Sequence, residues 1–431
     1  MSIISDLHEL VDANVITSET AQQIVGYYKK KQEKLPTAKN RQLLFFGIVG
    51  AFLVGIGLLF IIANQWEELP RSVKTICAFL LLIIPQLLCL YAVLKKADSL
   101  VWRESTALIL FFAVGASISL ISQIYHINGE TSIFILTWML LTAPLIYILD
   151  SSAVSLAYLF GIMFYGFSVR EDATSGLGEQ VWWFLYTVPL PRYLHFSRKS
   201  DGSSLHLLHH WVIPFILAIS LSTLGRTTWE LMPPLYFTLF AIFYQIGRLP
   251  YFTNSAQERN GYGMIGQIGT FIGLYVMSFN SIWDKILTKK FDFDLLIFTP
   301  ELIANLLFFV VAILLLYQRA RKVQLSEIKW MEVFWLVFIV VFLIGCNSNL
   351  AVYLINLVVL LIGLSMAREG TRKDNLSQLN AGMFVITFLL ICRSFDIDLT
   401  LVVKGILFVL LGIGFFVANW WMLKKRKENE A

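Results

Sequence analysis

Apolar residues in this chain come in long unbroken runs, separated by short polar breaks. The clearest run is Leu43 to Trp66, which carries no charge between Leu43 and Ala63 and closes on Asn64, Gln65 and Trp66. About 20 apolar residues at about 1.5 Å each match the ~30 Å hydrocarbon core of a bilayer. Thirteen further candidate spans follow, at 74–94, 105–125, 131–149, 152–168, 180–194, 210–225, 232–247, 263–280, 300–317, 329–345, 349–366, 377–392 and 402–422. Segments 180–194 and 210–225 are short for a crossing and read as tilted or re-entrant. Pro85, Pro144, Pro189, Pro191 and Pro214 fall inside these segments. Each removes a backbone donor and predicts a kink. The pattern predicts an all-α, polytopic membrane bundle of about fourteen helices, with twelve as the alternative.

Composition agrees with that reading. The chain is 57% hydrophobic and 15% charged, against about 25% charged in soluble proteins, so it lacks the polar surface to face water all round. If the loops alternate between sides, one side holds 25 of the 34 Lys and Arg and the other holds nine. The positive-inside rule then puts both termini in the cytoplasm, with the basic run Lys29, Lys30, Lys31, Lys34, Lys39 and Arg41 setting the first crossing. The net charge of +5 is therefore loop charge, not a nucleic-acid footprint, and the expected partner is the lipid bilayer. The polar stretch 1–42 before a full-length first span argues against a cleavable signal peptide. Trp66, Trp102, Trp182, Trp183, Trp211, Trp229, Trp330, Trp420 and Trp421 fall near predicted ends and read as interfacial anchors. No sequence feature reports the oligomeric state.

Residues 1–42 read as an amphipathic helical hairpin on the cytoplasmic side. Leu7, Leu10, Val11 and Ile16 share one face, and Thr17 or Ser18 can cap a second helix. The hairpin is either a cap on the bundle or a docking module for a protein partner.

Small residues mark packing faces: Gly47, Ala51 and Gly55 in the first run, and Gly266, Gly269 and Gly273 in segment 263–280. Such spacing lets two backbones approach closely in lipid. Segment 105–125 carries a polar stripe instead. Gly115, Ser119, Gln123 and His126 follow helical steps, with Tyr125 at the exit and Glu130 just beyond. A stripe of this kind must face protein or a water-filled cavity. It serves either as interhelical hydrogen-bond glue or as a cavity lining that opens on the non-cytoplasmic side, where the polar end Asn64 to Trp66 should also lie. Charged side chains are expected to be nearly absent from helix middles, with Glu301 starting its helix and Lys404 reaching toward Asp396 or Asp398.

Catalytic chemistry leaves little trace. His206, His209 and His210 form a cluster in an expected cytoplasmic loop near His195, without an acid or Cys at ligand spacing. Cys77, Cys89, Cys346 and Cys392 read as small buried hydrophobes. There is no Walker loop, zincin motif or nucleophile elbow, so neither a metal nor a cofactor is expected.

The stretches LVDANVITSETAQQIVGYY, GIGLLFIIANQWEELPR, GASISLISQIYHINGE and TWMLLTAPLIYIL, spanning roughly residues 7–165, resemble the bacterial family of predicted membrane proteins known as domain of unknown function 2157. Here the family's Ala-Asn-Trp signature is interrupted, as Asn64-Gln65-Trp66. A weaker echo appears at Arg393-Ser394-Phe395-Asp396 and in the last helix. The resemblance implies a bacterial cytoplasmic-membrane protein and supplies no activity. It divides the chain into the hairpin 1–42, a family-like membrane core 43–168, further transmembrane helices 169–422 and a basic cytoplasmic tail 423–431. Three functional readings follow. The first is a transporter-like or lipid-handling protein with a non-cytoplasmic cavity. The second is a scaffold or sensor that recruits a partner through residues 1–42. The third is a membrane-embedded transferase or hydrolase, which needs His126, Glu130, Arg393 and Asp396 to converge.

Overall fold

A computed structural model describes residues 15, 17–24, 69–172, 177–199, 204–226, 228–253, 260–287, 299–324, 330–373, 375–396 and 400–430. The chain divides into two compact units, Met1–Cys77 and Ala78–Ala431. In the first, residues 18–24 are helical, and Thr17 Oγ1 accepts the Thr20 backbone N–H at 3.2 Å, the geometry of an N-cap. The rest of the expected hairpin lies outside the described residues. So does the whole run Leu43–Trp66, with Gly47, Ala51, Gly55, Asn64 and Trp66.

Among the described residues every regular element is helical. The longer helices are α1 (Arg71–Lys95), α2 (Leu100–Tyr125), α3 (Thr131–Thr142), α4 (Ser152–Asp172), α5 (Leu190–Lys199), α6 (Ser204–Leu221) and α7 (Met232–Gly247). They continue as α8 (Gly261–Val276), α9 (Asn280–Leu287), α10 (Pro300–Ala320), α11 (Trp330–Gly345), α12 (Leu350–Arg372), α13 (Leu376–Asp396) and α14 (Leu401–Glu430). Seven are long and apolar enough to cross a bilayer: α1, α2, α3 with its continuation to Ile148, α4, α10, α12 and α13. The pair α8 and α9, bent by 77°, makes an eighth if it is one broken span. Local chemistry sets the starts. Thr299 Oγ1 accepts the Leu302 N–H ahead of Pro300, and Asn260 Oδ1 accepts the Gly263 N–H at 2.9 Å.

Segment 180–194 forms no single helix. Leu177–Thr187 is a 3-10 helix, a turn follows, and α5 begins at Leu190. Pro189 and Pro191 lack the N–H groups that a continuous helix would use there. Trp182 is not an interfacial anchor either. It is buried against Gly166 and stacks on Trp183 with ring centroids 4.8 Å apart. Pro85 and Pro214 do lie inside α1 and α6, whereas Pro144 marks the break after α3.

Helix α7 is the most enclosed and packs on α8, α10 and α11. Along α8, a methyl on Gly266 would meet the Phe240 carbonyl oxygen at 2.5 Å, and Gly269 lies against the Phe240 ring. The α12–α13 contact is as close, because a methyl on Gly382 would meet the Ala367 backbone nitrogen at 2.4 Å and the Gly363 oxygen at 2.7 Å.

Charged groups are more buried than the run lengths suggest. Glu104, Glu230, Glu301 and Glu332 are all buried, each near a helix end. Glu104 accepts Ser151 Oγ–H at 2.5 Å and the backbone N–H groups of Ser152 and Ala153 at 2.8 and 2.9 Å, so it caps α4 from α2. Arg192 donates to Asp150 and to Ser152 Oγ beside it. Glu301 accepts the Arg226 and Thr228 N–H groups at 3.1 and 2.9 Å. Lys404 does not pair with Asp396, and Asp398 lies outside the described residues. The Lys404 ammonium lies 5.3 Å from the Phe395 ring centroid.

Candidate functional groove

Helices α1, α2 and α3 are tied together at one level. Ser117 Oγ donates to the Ala78 carbonyl at 3.0 Å, linking α2 to α1. The Trp138 indole N–H donates to the Phe111 carbonyl at 2.7 Å, linking α3 to α2, with the ring seated against Gly115. Beyond Ser117, α2 runs on toward its end with Ser119 and Gln123 exposed, and among the described residues no further contact of this kind ties it to α1 or α3.

That end is sharply defined. His126 adopts the left-handed conformation, φ 51° and ψ 41°, and the Ile127 N–H returns to the Ser122 carbonyl at 2.9 Å. Ser122 Oγ donates to the Ile127 carbonyl at 2.8 Å. The chain then turns through Asn128 and Gly129 to Glu130, which sits at the N-cap position of α3 with Ser132 Oγ 3.4 Å from its carboxylate.

The result is a groove of about 960 Å³ lined by Ser119, Gln123, His126 and Glu130. Asn128 and Thr137 add polar groups, and Phe79, Leu82, Ile118 and Phe134 are among its apolar walls. Tyr125 is exposed but is not part of the lining. Asn128 and Thr137 escape a reading confined to α2, although Thr137 falls one turn beyond Ile133 and Phe134 on the same face of α3.

Arg393 and Asp396 lie in a separate cluster. Arg393 Nη1 contacts Asp396 Oδ2 at 2.7 Å, and the same oxygen accepts Asn280 Nδ2–H at 2.8 Å at the start of α9. Arg393 Nη2 lies 3.4 Å from Ser278 Oγ, in the break between α8 and α9. Neither residue lines the groove, so the four groups required for a transferase or hydrolase are split between two sites with different partners.

The histidines also differ from expectation. His209 and His210 are on α6 and buried, not in a loop. His209 Nε2 pairs with Ser155 Oγ at 3.0 Å, and His210 Nδ1 with the Tyr193 hydroxyl at 2.9 Å. Among the described residues no three His, Cys, Asp or Glu side chains gather into a metal-binding group. Cys89 and Cys392 are buried, Cys346 is partly buried, and Cys77 is exposed.

No curated protein and no solved structure matches the chain. Residues 8–155 match the family model described as predicted membrane protein (DUF2157). Every described residue that lines the groove falls inside that match. Over residues 8–155, and with them the groove, the chain is similar to that family of predicted membrane proteins.

Proposed function

We propose that the groove is the working site of a lipid-handling or transporter-like membrane protein and is reached from the non-cytoplasmic side. One observation carries this reading: Ser119, Gln123, His126 and Glu130 line a single groove of about 960 Å³. Its polar rim at His126, Asn128 and Glu130 adjoins apolar walls one to two helical turns away. That mixture suits an amphiphile, with its polar end at the loop and its apolar part along Ile118 and Phe134. Gln123 and Ser119 left toward bare hydrocarbon would each be costly, and a polar ligand group in the groove would serve them.

The same reading takes fourteen spans, both termini cytoplasmic, in the bacterial cytoplasmic membrane. Charge supports it, with 25 of 34 basic residues on one side. Packing supports it as well. The start of α2 meets the start of α4, the end of α13 meets the break before α9, and alternation puts each of these pairs on one side.

The test uses Ser119→Cys and Gln123→Cys in a chain whose four native cysteines are replaced. A membrane-impermeant maleimide added to intact cells is expected to label both positions. Absence of labelling at both, in every lipid condition, rejects the groove as an outward-facing site.

A further inference from the structure

A second cluster sits where α7, α10 and α11 end or begin. Glu332, in the first turn of α11, is fully buried. Arg248 follows α7, and Arg319 lies in the last turn of α10. Their Nε atoms stand 4.0 and 3.7 Å from the two Glu332 oxygens, Arg248 at one and Arg319 at the other. These distances exceed a direct N–H···O bond and suit a bridging water. Both Nε atoms are buried and have no hydrogen-bond partner in the protein. Gln245, 4% exposed, donates to the Glu332 carbonyl at 3.0 Å, and its own Oε1 is likewise buried and unpartnered.

This arrangement differs from the other buried acids. Glu104 and Glu301 take backbone N–H groups and complete helix or loop ends. Glu332 instead stands between two guanidinium groups that do not close on it. Their side chains keep 31% and 22% exposure while Nε is buried, so each has its Nε edge toward Glu332 and another part at the surface. Among the described residues, two guanidinium groups and one carboxylate leave a positive charge over, at helix ends. An excess cation that is partly removed from water favours a counter-anion. The guanidinium fork matches phosphate oxygens in shape and charge.

We propose that Arg248 and Arg319, held apart by Glu332, form a binding site for a phosphate that carries no cation of its own. An anionic phospholipid headgroup and free inorganic phosphate share that chemistry. The site is independent of the groove.

The test places the full-length protein in nanodiscs of phosphatidylcholine, with or without phosphatidylglycerol. Retained lipid is measured by native mass spectrometry, and thermal stability is measured with and without inorganic phosphate. Wild type is expected to retain the anionic lipid, or to be stabilised by phosphate, with about tenfold preference over Arg248→Gln/Arg319→Gln, as for the loss of one charge-assisted contact. Lipid retention without a phosphate response identifies the headgroup as the source, and the reverse identifies free phosphate. Arg321→Gln, which removes a charge stacked over Tyr317 at 4.5 Å, is expected to leave the preference intact. Wild type that responds to neither source overturns the site. So does an effect of Arg321→Gln equal to that of the double variant. Each single variant, Arg248→Gln and Arg319→Gln, is measured alongside in case the double variant fails to accumulate. Wild-type behaviour in both single variants also overturns the proposal.

Discussion

The α12–α13 seam and the α1–α2–α3 groove are built from similar residues and reach opposite outcomes. At the seam, Gly363, Gly370 and Gly382 let one backbone lie on the other. A side chain on Gly370 would run into the Leu379 backbone, and one on Gly382 into the Ala367 backbone. Along the three helices of the groove glycine appears once, at Gly115, where it receives the Trp138 ring, and Ser119 and Gln123 beyond it are polar and exposed. Lipid tails solvate apolar side chains about as well as a neighbouring helix does, so apolar character alone closes no interface here. Backbone approach closes the seam. Where side chains of Ser and Gln size stand in the way, the helices remain apart.

The strongest attempt to break this comparison is Gly382→Leu. The clash is with backbone and no rotamer relieves it, so a loss of about 3 kcal/mol or more is expected in thermal unfolding, or failure to accumulate. A wild-type midpoint would mean that the seam is not closed by backbone contact. Gly115→Ala should cost less, about 1–2 kcal/mol, because the new methyl meets only the Trp138 ring, at 2.5 Å, and a ring can tilt. The smallest effect is expected for Ser119→Leu, within about 0.5 kcal/mol, since the groove has room for the added atoms. The same change should slow maleimide labelling at Gln123→Cys. If Ser119→Leu destabilises as much as Gly382→Leu, the groove is packed interior and the contrast collapses.

Hydropathy and run length carried much of the fold. Segments 74–94, 105–125, 131–149, 152–168, 300–317, 349–366 and 377–392 coincide with the seven helices long enough to span. The same criterion did not reveal that 180–194 is broken into two helical pieces, because an aromatic run cut by Pro189 and Pro191 stays apolar while its backbone leaves the helix. The polar stripe on α2 was legible because its residues sit on one helix. Asn128 and Thr137 were not, because they join the stripe only once α3 is folded alongside. The buried glutamates were hidden for a related reason. Glu104 lies outside the apolar run that begins at 105, and the donors that accept its burial come from Ser151, Ser152 and Ala153. The Gly363–Gly382 seam was missed because the two glycines belong to different segments.

The Glu104 cap also imposes an order on synthesis. Its first donor, Ser151, lies 47 residues downstream, so at ribosomal speed the carboxylate waits roughly 2 to 10 seconds for it. During that interval α2 and α3 are laid down before the partners of Glu104 exist. The start of α4 is then written onto a helix made before it, and the chain has a directional assembly step that a refolding experiment, in which all segments are present at once, would not reproduce.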